Sequence, residues 1–111
     1  MALTFYNNKL LRHPQRLSNY LQGKDIVPLT LDIDLTNRCN SNCPACAGFR
    51  QSQKEILKLG VIKRLLDDAN RIRVKAVVFT GGGEPTLHPG LIELLELASE
   101  WGLETLSLIH I

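Results

Sequence analysis

Between Leu29 and Thr36 the chain alternates strictly, with Leu29, Leu31, Ile33 and Leu35 on one side and Thr30, Asp32, Asp34 and Thr36 on the other. A period of two marks a half-buried strand, because successive side chains of extended backbone point to opposite faces. The period then changes. From about Leu59 to Ile72, the residues Ile62, Leu65, Leu66 and Ala69 recur at helical spacing while Lys63, Arg64, Asp67 and Asp68 take the other side, although Gly60 blurs where this helix starts. Ala76 to Phe79 is an unbroken apolar run ending at Thr80, as expected of a strand covered on both faces. Beyond it, Pro89 suits the first position of another helix, with Leu91, Leu94, Leu95 and Ala98 packing and Glu93, Glu96 and Glu100 facing water. The order strand, helix, strand, helix predicts an α/β fold with a parallel sheet.

Residues 1–28 read as a helical lead-in. Pro14 suits a first helical position, Leu17, Tyr20 and Leu21 form an apolar stripe fit for packing, and Gly23 suits the stop. Arg73 is out of place, since a glycine more comfortably ends the helix before it.

The chemistry sits in two loops. The first strand runs into a segment, 37–52, rich in Asn, Ser, Pro and Gly, which is turn chemistry, and within it stands Cys39-Asn-Ser-Asn-Cys43-Pro-Ala-Cys46. These are the chain's three cysteines, and an odd number cannot all pair. The N-terminus lacks the apolar core of a signal peptide, and no stretch approaches the roughly 20 apolar residues of a membrane span. A cytoplasmic setting is therefore expected, where clustered cysteines more often hold metal than form disulfides. The spacing lets three sulfurs turn inward on one inorganic centre. A 4Fe-4S cluster saturated by protein takes four thiolates, so three would leave one iron open. The second loop, Gly81-Gly82-Gly83-Glu84-Pro85, follows the second strand. Its glycines permit a close backbone approach that a Cβ would block, at the strand end where parallel α/β folds place their sites. Two plainer readings stand beside these: a structural zinc held by the cysteines and His88, and a glycine run that only makes a sharp turn.

Together, Leu31-Asp-Ile-Asp-Leu-Thr-Asn-Arg-Cys39-Asn and Val77-Val-Phe-Thr-Gly-Gly-Gly-Glu-Pro-Thr-Leu-His-Pro89 resemble the radical S-adenosylmethionine (SAM) enzymes, over about Pro14 to Glu104. The resemblance implies that Cys39, Cys43 and Cys46 hold a 4Fe-4S cluster whose fourth iron is chelated by the amino and carboxylate groups of SAM. Gly82, Gly83 and Glu84 then recognise the methionine amino group. The implied activity is reductive cleavage of SAM to a 5′-deoxyadenosyl radical that abstracts hydrogen from a substrate, unknown here, either a peptide or a small molecule. A flavodoxin-like or ferredoxin-like protein is the implied reductant. The implied fold is a partial (β/α)6 TIM-like barrel. A complete eight-unit barrel needs about 250 residues, so 111 residues hold only its first units: a lead-in over 1–28 and a truncated core domain over 29–105. One departure is Ala45 before the third cysteine, where the family commonly has an aromatic residue near the adenine; Phe49 is the nearest substitute.

Other residues carry weaker signals. Asp32 and Asp34 share a polar face that would line a barrel lumen, or they are solvated or hydrogen-bonded at a strand end; Asn37 and Asn40 read as loop-shaping, with a direct cofactor role as the alternative, His88 as a helix-entry residue, with a reach to SAM as the alternative, and Arg50 as an exposed cation able to meet an anionic substrate. A net charge of +2, with Lys9, Arg12, Arg16 and Lys24 diluted over the N-terminal stretch and no interleaved aromatics, makes no case for a nucleic-acid or membrane surface. The last six residues, Leu106-Ser-Leu-Ile-His-Ile111, stand where a third strand begins. They are also what CTG TCT CTT ATA CAC ATC encodes, a string resembling a transposon end used to prepare sequencing libraries. The expectation is a tail foreign to the gene, with an ordinary apolar strand as the alternative, and a third class of reading is an inactive truncated fragment.

Overall fold

The computed structural model describes residues 10–44, 46 and 55–107. Along the chain run a 3-10 turn at Leu10–Arg12, then α1 (Pro14–Leu21), β1 (Thr30–Asp34), α2 (Leu59–Arg71), β2 (Ala76–Thr80), a second 3-10 turn at Pro85–Leu87, α3 (Leu91–Glu100) and β3 (Glu104–Ser107). The strands form one sheet in the order β1-β2-β3, all parallel, with Thr30 beside Ala76 and Ala76 beside Glu104. Leu106 and Ser107 lie in β3; the remaining tail residues fall outside the described set.

Alternation decides which face of the sheet is covered. Ile33 and Leu35 at the first strand, and Val77 and Phe79 on β2, are buried with Ile62 and Leu66 of α2 and with Leu91, Leu94 and Ala98 of α3, in one core. Both helices therefore pack on the same face, and the pair Lys63–Glu93 joins them at its rim. The opposite face carries Asp32 and Asp34, exposed, and Ala76, Val78 and Thr80, half-buried. Among the described residues, the apolar run of β2 is thus packed against helices on one face and half-buried on the other. Leu65, expected in the α2 stripe, is 37% exposed because its neighbours Ile62, Leu66 and Ala69 already fill the contact with the sheet.

Three elements differ from the sequence-based expectation for definable reasons. The last helix starts at Leu91 with Gly90 as its N-cap, not at Pro89, because the Gly90 N–H is drawn to His88 Nδ1 (3.1 Å) and Pro85–Leu87 takes up the preceding turn. The α1 stripe does not pack: Tyr20 and Leu21 are 55% and 74% exposed. What holds α1 is Arg16, whose guanidinium donates to Val27 O (2.9 Å), Pro28 O (2.6 Å) and Arg73 O. Lastly, Thr36 is buried although it continues the polar face of β1, since its hydroxyl is committed to a neighbouring segment. No helix among the described residues is long and apolar enough to cross a membrane.

Candidate functional site

The two chemically loaded loops leave adjacent parallel strands at the same end, and hydrogen bonds continue past the end of the sheet. Leu35 N–H donates to Thr80 O (2.9 Å), Gly83 N–H to Thr36 O (3.1 Å) and Glu84 N–H to Arg38 O (2.7 Å). Residues 35–38, which lead into Cys39, are thereby laced to the glycine turn. The fit is closer than side chains allow. A Cβ on Gly81 would stand 2.4 Å from Thr36 O, and one on Gly83 would stand 2.0 Å from Arg38 O. Neither glycine has a positive φ, so it is contact with backbone, not conformational freedom, that requires them. Gly82 is different: a Cβ there would meet only Asn37 Cβ, at 3.8 Å.

On its other side the same segment pairs with the limb that returns from the cysteine loop. Thr36 bridges Ile56 in antiparallel fashion, and Leu57 N–H donates to Leu35 O (2.9 Å). Thr36 Oγ1 donates to Glu55 O (2.7 Å) and accepts from Arg38 N–H (3.0 Å). Asn37 engages Glu55 twice, its N–H donating to Glu55 O (3.2 Å) and its Oδ1 accepting the Glu55 N–H. The loop that carries the cysteines is therefore closed at its base by Thr36 and Asn37, in keeping with the loop-shaping role expected of Asn37. A cleft of about 240 Å³ opens here, lined by Asp34, Thr36, Asn37, Glu55, Leu57 and Gly82. Small-molecule sites run to roughly 300–1,000 Å³, so this cleft is smaller than such a site. A larger cleft, about 430 Å³, lies beside α1 between Arg12, Arg16, Asp25, Arg73 and Lys75, and no cysteine or turn glycine lines it.

Cys39, Cys43 and Cys46 are exposed and not in disulfides. Ser41 N–H donates to Cys39 Sγ (3.4 Å), and Cys46 N–H to Cys43 O (3.2 Å), closing the Cys43–Cys46 spacing as a turn that contains Pro44. The described residues gather no three His, Cys, Asp or Glu side chains into a set able to grip a metal ion. What is brought together is the base of the cysteine loop and the glycine turn, not the thiols themselves. The donor chemistry still suits an iron–sulfur group: three soft sulfur ligands, solvent-facing, on a loop whose base is pinned. Ala45, Phe49 and Arg50 lie outside the described residues.

Glu84 is 4% exposed, and its Oε1 accepts from Thr86 N–H (3.1 Å) and Thr86 Oγ1 (2.8 Å), capping the 3-10 turn. Asp34 accepts a hydrogen bond from Thr80 Oγ1 across the strand ends (2.5 Å), while Asp32 faces solvent. His88, 3% exposed, has Nε2 at 2.8 Å from Leu57 O and Nδ1 at 3.1 Å from Gly90 N. A carbonyl only accepts and an amide N–H only donates, so the proton sits on Nε2 and both ring nitrogens are committed. That leaves none to complete a Cys3His zinc site.

A family model of the Radical SAM superfamily matches residues 33–108. The chain belongs to the radical SAM superfamily. Among curated relatives of this radical SAM chain, PqqA peptide cyclase of Rhodopseudomonas palustris is 38% identical over 81 residues, 71% of this chain and 21% of the relative. The 7,8-dihydro-6-hydroxymethylpterin dimethyltransferase of Methanocaldococcus jannaschii is 35% identical over 74 residues, 64% of this chain and 15% of that protein. Mycofactocin maturase MftC of Mycobacterium tuberculosis is 33% identical over 89 residues, 78% and 22% of the two chains. The radical SAM chain thus spans about a fifth of the length of the curated relatives it matches. No solved structure matches it.

Proposed function

We propose that these residues form the first β/α units of a partial (β/α)6 barrel in a radical SAM enzyme, with 1–28 as its lead-in and 29–105 as the start of its core domain. Cys39, Cys43 and Cys46 hold the 4Fe-4S cluster, and Gly82, Gly83 and Glu84 receive the methionine amino group of SAM. The observation that carries this reading is the lacing of residues 35–38 to Gly81–Glu84, which sets the thiol loop directly beside the turn assigned to SAM.

A 4Fe-4S cluster held by Cys39, Cys43 and Cys46 would supply the electron for reductive cleavage of SAM, and SAM would supply the hydrogen-abstracting group. The chain's own part is orientation. Gly82, with room above its Cα, lets a ligand meet backbone. Glu84 is held by Thr86, so its carboxylate keeps one direction and needs no reordering on binding. Thr36 and Asn37 fix the base of the loop through Glu55, so that this part of the site is held before metal binds, which reduces the entropy lost on binding. The reductant is a flavodoxin-like or ferredoxin-like protein of the cytoplasm. A peptide substrate is favoured over a small molecule by the similarity to PqqA peptide cyclases of three organisms.

The test is anaerobic reconstitution of the full-length gene product with iron and sulfide, then reduction in the presence of SAM and assay for 5′-deoxyadenosine. Formation of it by the native protein, and its loss with Cys39→Ala, Cys43→Ala or Cys46→Ala, is expected. A reduced cluster with intact SAM would overturn the reading. The zinc-module alternative has the His88 geometry against it, and predicts tight zinc binding with no brown colour.

A further inference from the structure

The limb that returns from the cysteine loop, Glu55–Leu57, is held on two sides. Leu35, Thr36 and Asn37 hold it from the β1 side. His88 holds it from the other, through Nε2–H to Leu57 O at 2.8 Å, with the ring 3% exposed. His88 is itself fixed twice: its N–H donates to Pro85 O (3.0 Å), which ties it to the turn capped by Glu84, and its Nδ1 takes the Gly90 N–H. Gly90 leaves room for this, since a Cβ there would stand 2.6 Å from Leu59 Cδ1 and 3.3 Å from His88 Cε1. A closed circuit results, from Leu57 through Leu35 and Thr80 to the glycine turn, on through Glu84 and Pro85 to His88, and back to Leu57.

We propose that His88 is a positioning residue for the cluster site. Its bond to Leu57 O fixes the exit of the cysteine loop relative to the glycine turn, so that the base of the thiol loop and the SAM-facing backbone are held in one arrangement. The inference rests on the proposed role of Cys39, Cys43 and Cys46, but the bond itself is testable without metal. A helix-entry residue would need only Nδ1. The two roles separate because they use different ring nitrogens: an Asn amide reaches about as far as Nδ1, and a Gln amide about as far as Nε2. His88→Asn keeps the Gly90 bond and loses Leu57, and His88→Gln does the reverse.

In the metal-free full-length gene product, amide hydrogen exchange at Leu57 is expected to be about fivefold faster in His88→Asn than in the native protein and within about twofold of it in His88→Gln, the scale of one net hydrogen bond. After reconstitution, the paramagnetic resonance spectrum of the reduced cluster should shift on adding SAM in the native protein and in His88→Gln. In His88→Asn the shift should need about fivefold more SAM, the same bond energy carried into binding. Equal exchange in the two variants, or faster exchange in His88→Asn with an unaltered SAM response, would overturn the proposal. So would failure of both variants to fold, which makes His88 a folding residue only. A split in exchange with no cluster even in the native protein defeats the proposed function and leaves the Leu57 bond standing.

Discussion

Gly81, Gly82 and Gly83 look interchangeable in the sequence and are not so in space. A methyl group on Gly83 or Gly81 collides with the carbonyl of Arg38 or Thr36, and neither backbone can move without parting the glycine turn from the base of the cysteine loop. Overpacking of that kind costs about 1–3 kcal/mol. Gly83→Ala and Gly81→Ala should lower stability by that amount in urea titrations of the full-length gene product, whereas Gly82→Ala should stay within about 0.5 kcal/mol of the native protein. SAM binding by equilibrium dialysis should respond to Gly82→Ala nonetheless, because its added methyl lies where the ligand is proposed to meet backbone. A Gly82→Ala variant as unstable as Gly83→Ala would refute this division of roles. The residue types were legible from sequence: cysteines and glycines declare themselves by spacing. Thr36, Asn37 and His88 did not declare their partners, which are backbone atoms of Glu55 and Leu57 and carry no side-chain signature. The signal that was available was a polar residue at each end of the cysteine loop and a histidine just past the turn.

Helices α2 and α3 end in the same way, with one telling difference. Val74 N–H donates to Ala69 O and Arg73 N–H to Asn70 O, and the same pattern recurs at α3, where Leu103 N–H donates to Ala98 O, Gly102 N–H donates to Ser99 O, and the buried pair Leu103 and Ala98 matches Val74 and Ala69. Both are Schellman ends, which place one residue in left-handed conformation. At α3 it is Gly102, at φ 68°; at α2 it is Arg73, at φ 63°. An L-residue there carries about 1–2 kcal/mol of strain, partly offset because glycine loses more backbone entropy on folding. Arg73→Gly should therefore stabilise the protein by about 0.5–1 kcal/mol, read as a higher urea midpoint at unchanged slope; a lower midpoint would show that the Arg73 side chain contributes more than its strain. The anchor of α1 gives a second expectation. Arg16→Lys cannot reach three carbonyls with one ammonium, so amide exchange over α1 should rise by about tenfold, the scale of one to two lost hydrogen bonds, while β2 stays protected. Uniform protection across both would mean that α1 is held by something other than Arg16. Periodicity located α2, β1 and β2 to within a residue or two, since burial on one face is written into the pattern. It misplaced the start of α3 because the competing acceptor, a histidine ring, is not a helix signal, and it overrated the α1 stripe because a stripe shows only what can be buried.

On the scale of the molecule, the sheet has one covered face and one open one. Asp32, Val78 and Leu106 lie in register across β1, β2 and β3 on the open side, and Leu106 is 55% exposed. The proposed barrel turns that face inward and covers it with strands from the rest of the protein, whereas among the described residues of the 111-residue chain it stays only half-buried at Val78. Val78 tells the two situations apart. In the 111-residue chain, Val78→Lys replaces a half-buried apolar side chain on a face that no described element covers, so it should cost no more than about 1 kcal/mol and reduce any self-association seen by sedimentation velocity, because β1 and β3 are the edges of the described sheet, where exposed apolar surface invites pairing. In the full-length gene product the same lysine would be forced into an enclosed interior, where desolvating it costs several kcal/mol and a cross-strand pair with Asp32 offsets only part of that. The expected outcome is opposite behaviour of one substitution in two lengths of the same chain: tolerance in the short one, and loss of cooperative unfolding in the long one. Equal tolerance in both would mean that the face stays open in the whole protein, and the barrel would have to be given up while the cysteine loop and glycine turn kept their geometry.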